Sequence, residues 1–131
     1  MNTRTPNLLS STSLTGTDVR NPQGEDLGEI KDLMIDLDDG HIAYAVLSFG
    51  GFLGIGDKYF ALPWDMLTVD TKNECFVVNI TKEQLDDAPG FDKDHWPQHE
   101  DTTFLDRVYT HYGYEPYSQR RTRVSEPAGM L

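Results

Sequence analysis

The sequence is poor in cysteine, in basic residues and in long apolar runs, and each shortage removes a class of protein. Cys75 stands alone in 131 residues, so no intrachain disulfide can form and no disulfide framework carries the fold. Its setting, Glu74-Cys75-Phe76-Val77-Val78-Asn79, reads as the start of a strand with a small buried thiol, without a histidine or metal partner beside it. Lysine and arginine number 11 against 22 aspartates and glutamates, a formal charge of −11, which disfavours attraction to nucleic acid or to anionic lipid. The uncharged span Ile42 to Gly56 falls short of the roughly 20 apolar residues of a membrane-crossing helix and is broken by Gly50-Gly51. The opening residues, MNTRTPNLLSSTS, lack the apolar stretch of a secretory leader. The expectation is a cytoplasmic protein with a flexible lead-in over residues 1–12 and no membrane insertion.

What is present reads as short strands and turns. Asn21-Pro22-Gln23-Gly24 sets proline at the first central position of a turn, with a glycine ready for positive φ. From Glu29 to Leu37, Leu33, Ile35 and Leu37 alternate with Asp32, Met34 and Asp36, the period of a half-buried strand. Asp39-Gly40 is a hairpin signal of type I′. The return strand, His41 to about Phe49, is apolar on both faces, Ile42/Tyr44/Val46 and Ala43/Ala45/Leu47/Phe49. Such a strand is central and covered on both sides, one of them open to another chain or to the terminal helix. Lys58 to Leu62 reads as a strand closed by Pro63, and Leu67 to Asp70 pairs with Cys75 to Ile80 around Lys72-Asn73. Thr81-Lys82-Glu83-Gln84 matches a capping box, so a short helix begins there and stops before Pro89. Asp92 to Glu100 is a polar linker with one packed aromatic, Trp96. Beyond it, Asp101 can cap a helix of about Thr102 to Tyr112 that Gly113 ends, with Leu105, Val108, Tyr109 and Tyr112 on one apolar face.

The candidate chemical motifs fail on their own requirements. Gly51-x4-Gly56 followed by Lys58 half suggests a phosphate loop, but Asp57 intervenes, no Ser or Thr follows, and the segment runs into a strand rather than a helix. A calcium loop begun at Asp36 would place Gly40 at its fifth position and Leu47 at its twelfth, where oxygen ligands belong, so Asp36-Leu37-Asp38-Asp39-Gly40 reads as an acidic hairpin tip. Pro97 between His95 and His99 argues against a helix presenting both. No nucleophile elbow exists, and neither Ser48 nor His41 sits in a recognisable catalytic setting, so no catalytic, cofactor or metal residue is assigned.

Taken in order, Leu14-Thr15-Gly16-x-Asp18-Val19, Gly24-x3-Gly28-Glu29-Ile30-Lys31-Asp32-Leu33, Phe49 to Gly56 and Tyr59-Phe60-Ala61-Leu62-Pro63-Trp64 resemble a PRC-barrel domain. The similarity covers about residues 13–92. It implies an all-β fold: a small PRC-type β-barrel of about six short antiparallel strands, followed by a short helix and a C-terminal amphipathic helix. A linker and helical extension would occupy 93–117 and a flexible basic tail, with Arg120, Arg121 and Arg123, would occupy 118–131. The relatives named by the resemblance are the cytoplasmic part of the photosynthetic reaction centre H subunit and the C-terminal domain of a bacterial ribosome maturation factor. Both are binding and assembly modules, and the resemblance carries over no catalytic residue.

The functional expectation is therefore a non-enzymatic, self-associating interaction module, a homodimer with a further, unidentified protein partner. Its candidate interface is Phe52, Leu53 and Ile55 on the glycine-rich excursion, Trp64, and the helix face at Leu105, Val108 and Tyr109. The alternative is a small-ligand or metal-binding protein using His41, or His95 and His99, with neighbouring acids.

Overall fold

A computed structural model describes residues 8–49, 58–92, 94–98 and 102–119. Within them a short helix, α1 (Ser11–Leu14), precedes the strands β1 (Asp18–Arg20), β2 (Asp26–Asp36), β3 (His41–Phe49) and β4 (Lys58–Pro63). A 3-10 turn at Trp64–Met66 leads to β5 (Thr68–Asp70) and β6 (Cys75–Val77), then α2 (Lys82–Asp86), β7 (Gly90–Phe91) and α3 (Thr102–His111).

The all-β expectation holds, with two corrections. The described strands form one open sheet of seven, ordered β5-β6-β1-β2-β3-β4-β7, rather than a closed barrel of about six. They are not all antiparallel, because β1 runs parallel to β6, with Val19 opposite Phe76 and Arg20 opposite Val77. The terminal strands β5 and β7 hold three and two residues, too short to zip the edges together, and the helical segment supplies the missing cover. Leu85 of α2 and Ala88 after it join Val19, Leu27, Ile30, Leu47, Phe60 and Phe76 in the inner core. Thr81 and Gln84 form the expected capping box: Gln84 N–H donates to Thr81 Oγ1 at 3.1 Å, and Thr81 N–H donates to Gln84 Oε1 at 2.8 Å.

Strand β3 is central, between β2 and β4, and apolar on both sides. Ala45 and Leu47 enter the inner core, whereas Tyr44 and Val46 enter a second core with Tyr59, Ala61, Phe91, Phe104, Val108 and Tyr109. The cover on that second face comes from α3 of the same chain. Tyr109 pins it there, its hydroxyl donating to the Ala43 carbonyl at 2.5 Å. At the far end Gly113, at φ +87°, turns the chain out of α3, and Tyr114 N–H donates to the Tyr109 carbonyl at 2.9 Å.

The β2–β3 hairpin departs from the sequence reading in a way that matters for the surface. Asp39-Gly40 lies in the turn, but the loop is longer than a two-residue type I′ turn: Gly40 N–H donates to the Asp36 carbonyl at 2.8 Å. Carboxylates build that loop, Asp36 Oδ1 accepting from Asp38 N–H and Asp39 Oδ1 from His41 N–H, both at 3.0 Å. Register shifts between Ile30 and Asp32 and between Met34 and Ile35 interrupt the β2–β3 pairing, the second leaving Ala43 of β3 as the extra residue, and burial in β2 does not follow strict alternation. Leu33 is buried as expected, whereas Ile35 and Leu37 are 52% and 90% exposed.

Candidate functional site

The exposed hairpin tip borders a cleft of about 440 Å³. Its walls come from four places: Met34, Ile35 and Leu37 at the tip, Ala43 and Tyr44 on β3, Pro97 and Gln98 before α3, and Phe104, Leu105 and Tyr117 from α3 and the segment after it. The cleft lies where the β2–β3 hairpin tip meets the first turns of α3 and the segment after that helix. Its rim is acidic, carrying Asp36 and Asp38. Tyr117 bridges rim and wall, its hydroxyl donating to Asp36 Oδ2 at 2.5 Å. Burial, reinforced by the Asp36 carboxylate, raises the phenol's pKa far above the usual tyrosine value, so it remains a donor throughout the physiological range. Tyr44 is raised in the same sense by burial and by the nearby charge of Asp32.

The residues expected at an interface are dispersed by the fold. Leu105 lines the cleft and is partly buried. Val108 and Tyr109 are buried inside the chain against β3 and β4, at 0% and 2% exposure. Trp64 is partly buried on the inner core, edge-on to Phe76 with ring centroids 5.9 Å apart. Phe52, Leu53 and Ile55, with the rest of the glycine-rich stretch 50–57, lie outside the described residues; Lys58 opens β4 as expected. Sequence reasoning missed Ile35, Leu37, Phe104 and Tyr117. A usable signal was there in Asp36-Leu37-Asp38: a leucine between two aspartates in a turn is a poor candidate for burial.

Two of the three histidines considered as ligands, His41 and His95, face an acid. His41 Nδ1 lies 3.5 Å from Asp39 Oδ2, and His95 Nδ1 lies 2.5 Å from Asp92 Oδ1. The hydrogen bond to Asp92 raises the His95 pKa and lowers that of Asp92. His99 lies outside the described residues, and among those described no three His, Cys, Asp or Glu side chains converge as a metal site would require. Nearby, Trp96 packs as expected, on Tyr59 and Phe91 with centroid distances of 5.5 and 5.1 Å.

A second, more polar cleft of about 400 Å³ lies where the Trp64–Met66 turn meets α2 and the end of α3, lined by Asp65, Asn79, Gln84, His111 and Tyr112 among others. The Tyr112 hydroxyl is buried beside it with no hydrogen-bond partner among the described residues, and burial pushes its pKa well up.

Sheet, helical cover and acid-rimmed apolar cleft together describe a small sheet-dominated domain with one apolar cleft at its β2–β3 hairpin tip. The PRC-barrel domain family matches residues 6–85, more than half of the chain, and the chain belongs to that family. No curated protein matches the sequence. Among the described residues no helix is long and apolar enough to cross a membrane.

Proposed function

We propose that this protein is a non-catalytic interaction module that self-associates, and that copies meet through the β2–β3 hairpin tip and the cleft beside it. The observation that carries the reading is the exposure of Leu37, 90%, and Ile35, 52%, next to a cleft with apolar walls. The chain's own α3 already covers the second face of β3, and this patch is apolar surface that cover leaves open. Contiguous exposed apolar area on a small domain marks a contact surface more often than an accident of folding. Membership of the PRC-barrel family supports an interaction role in general terms.

The test is light scattering over a micromolar concentration series on the full chain and on Leu37→Asp. Self-association gives a mass that rises above the 14.8 kDa of one chain, and Leu37→Asp, on an exposed turn, lowers it without loss of fold. A monomer mass throughout would overturn the reading. A wild-type dimer unaffected by the aspartate would move the contact elsewhere.

A further inference from the structure

Leu37 stands on a turn, and a turn presents a side chain only as well as its backbone is held. The hold on this turn converges on Asp36, the last residue of β2. The Asp36 carbonyl accepts from Gly40 N–H at 2.8 Å and its Oδ1 accepts from Asp38 N–H at 3.0 Å, so Asp36 closes the loop that carries Leu37. Its other carboxylate oxygen, Oδ2, accepts from the Tyr117 hydroxyl at 2.5 Å, across 81 residues of sequence. Tyr117 is buried and rests on Tyr109 of α3, their ring centroids 5.2 Å apart. The next residue, Ser118, is tied to the same helix: its backbone N–H and hydroxyl donate to Oδ1 and Oδ2 of Asp106, each at 2.9 Å. A path of hydrogen bonds and one peptide bond thus runs from α3 through Asp106, Ser118, Tyr117 and Asp36 to the turn. The turn lies inside the residues that match the PRC-barrel family, whereas Asp106, Tyr117 and Ser118 lie outside them.

We propose that Asp106, Ser118 and Tyr117 form a clasp that fixes the β2–β3 turn for the contact between copies, so that the segment after α3 sets how tightly the chain self-associates. These are positioning residues, acting through Asp36 on Leu37. An exposed leucine on an untied turn has to be ordered as two copies meet, and that loss of freedom weakens association; a turn already held avoids it. The bonds suit the task, because those accepted by carboxylate oxygens are the stronger kind. The coupling runs both ways by linkage, so copies that meet at the turn also tighten the hold of Tyr117 and Ser118. The inference rests on the hairpin tip being the surface where copies meet, as proposed above, and adds to it the residues that position that surface.

The test compares the full chain with Tyr117→Phe and Asp106→Ala. Tyr117→Phe keeps the ring in the cleft wall and removes only the bond to Asp36. Asp106→Ala removes both acceptors of Ser118 from a helix in which alanine is well tolerated. Light scattering over a concentration series gives the dissociation constant of self-association. In the Leu37→Asp background, where copies do not meet, nitrogen-15 relaxation gives the order of the Asp38 and Gly40 amides. Tyr117→Phe should weaken self-association about tenfold, the size of one lost bond to a carboxylate. It should also lower the two amide order parameters from about 0.85 toward about 0.6, with near-ultraviolet dichroism unchanged. Asp106→Ala should move both readouts in the same direction. A purely structural role would lower the urea midpoint and leave the dissociation constant of the folded protein as in the wild type. A wild-type constant in either variant overturns the inference and leaves the hairpin-tip contact standing. Weakened association with unchanged amide order also overturns it, by making the hydroxyl a direct contact. A monomer mass for the wild-type chain at every concentration overturns both readings.

Discussion

At Gly28 the fold depends on the absence of a side chain. Its φ is +116°, and a Cβ built there would lie 2.1 Å from the Ser48 carbonyl oxygen, inside the β2–β3 pairing. Gly28→Ala is expected to cost about 3 kcal/mol or more, from strain and overpacking together, read as a lower urea midpoint. Two tyrosines on or beside α3 make a contrasting pair. Tyr109→Phe removes a buried hydroxyl that bonds Ala43 and should cost about 1–2 kcal/mol. Tyr112→Phe removes a buried hydroxyl with no partner among the described residues, so its expected effect is neutral or stabilising by up to about 1 kcal/mol. If Tyr112→Phe destabilised as much as Tyr109→Phe, the unpartnered hydroxyl would be misassigned.

His95 and Asp92 set a local pH dependence. The raised His95 pKa means its contribution is complete below the ordinary value of 6.5 and is lost as pH rises through the higher folded value. The lowered Asp92 pKa means its contribution is present above the ordinary 3.8 and is lost as pH falls through the lower folded value. The pair is thus fully engaged between those two ordinary values. In an NMR titration the His95 midpoint should lie above 6.5, and Asp92→Asn should bring it back down.

Among the elements, α3 carries the most consequence, because without it β3 would show a second apolar face to water. Val108, fully buried between α3 and the sheet, is the position to test. Val108→Asp buries an unpaired carboxylate and should lower stability by about 3 kcal/mol or more, with loss of near-ultraviolet dichroism from the aromatic cluster. How far the elements could be read in advance depends on what specifies them. The helix α2 was legible because Thr81 and Gln84 specify its start locally. The strand β3 was legible as doubly covered because both its faces are apolar, although only the fold could assign α3 to the second. The long turn before it was not, since Asp36, Asp38 and Asp39 act through side-chain-to-backbone bonds that a two-residue turn rule does not contain. Nor was the exposure of Ile35, because a bulge is one inserted residue and leaves no mark in the alternation itself.

At the scale of the whole molecule, the sheet's openness was the least legible feature. Strand count and closure depend on which short segments pair across the chain, and the parallel pairing of β1 with β6 joins residues far apart in sequence. The candidate surface was half legible: Leu105 belongs to it, Val108 and Tyr109 turned inward, and Leu37 emerged from a strand pattern whose alternation pointed to burial. The central claim, that copies of this acidic protein meet at the hairpin tip, is most directly tested in a sample mixed from isotope-labelled and unlabelled chains, at a concentration where light scattering gives a mass above that of one chain. Isotope-filtered nuclear Overhauser spectra should then show contacts between copies from the Ile35 and Leu37 methyl groups. Intermolecular contacts confined to other residues, or none at all from these two, would contradict it.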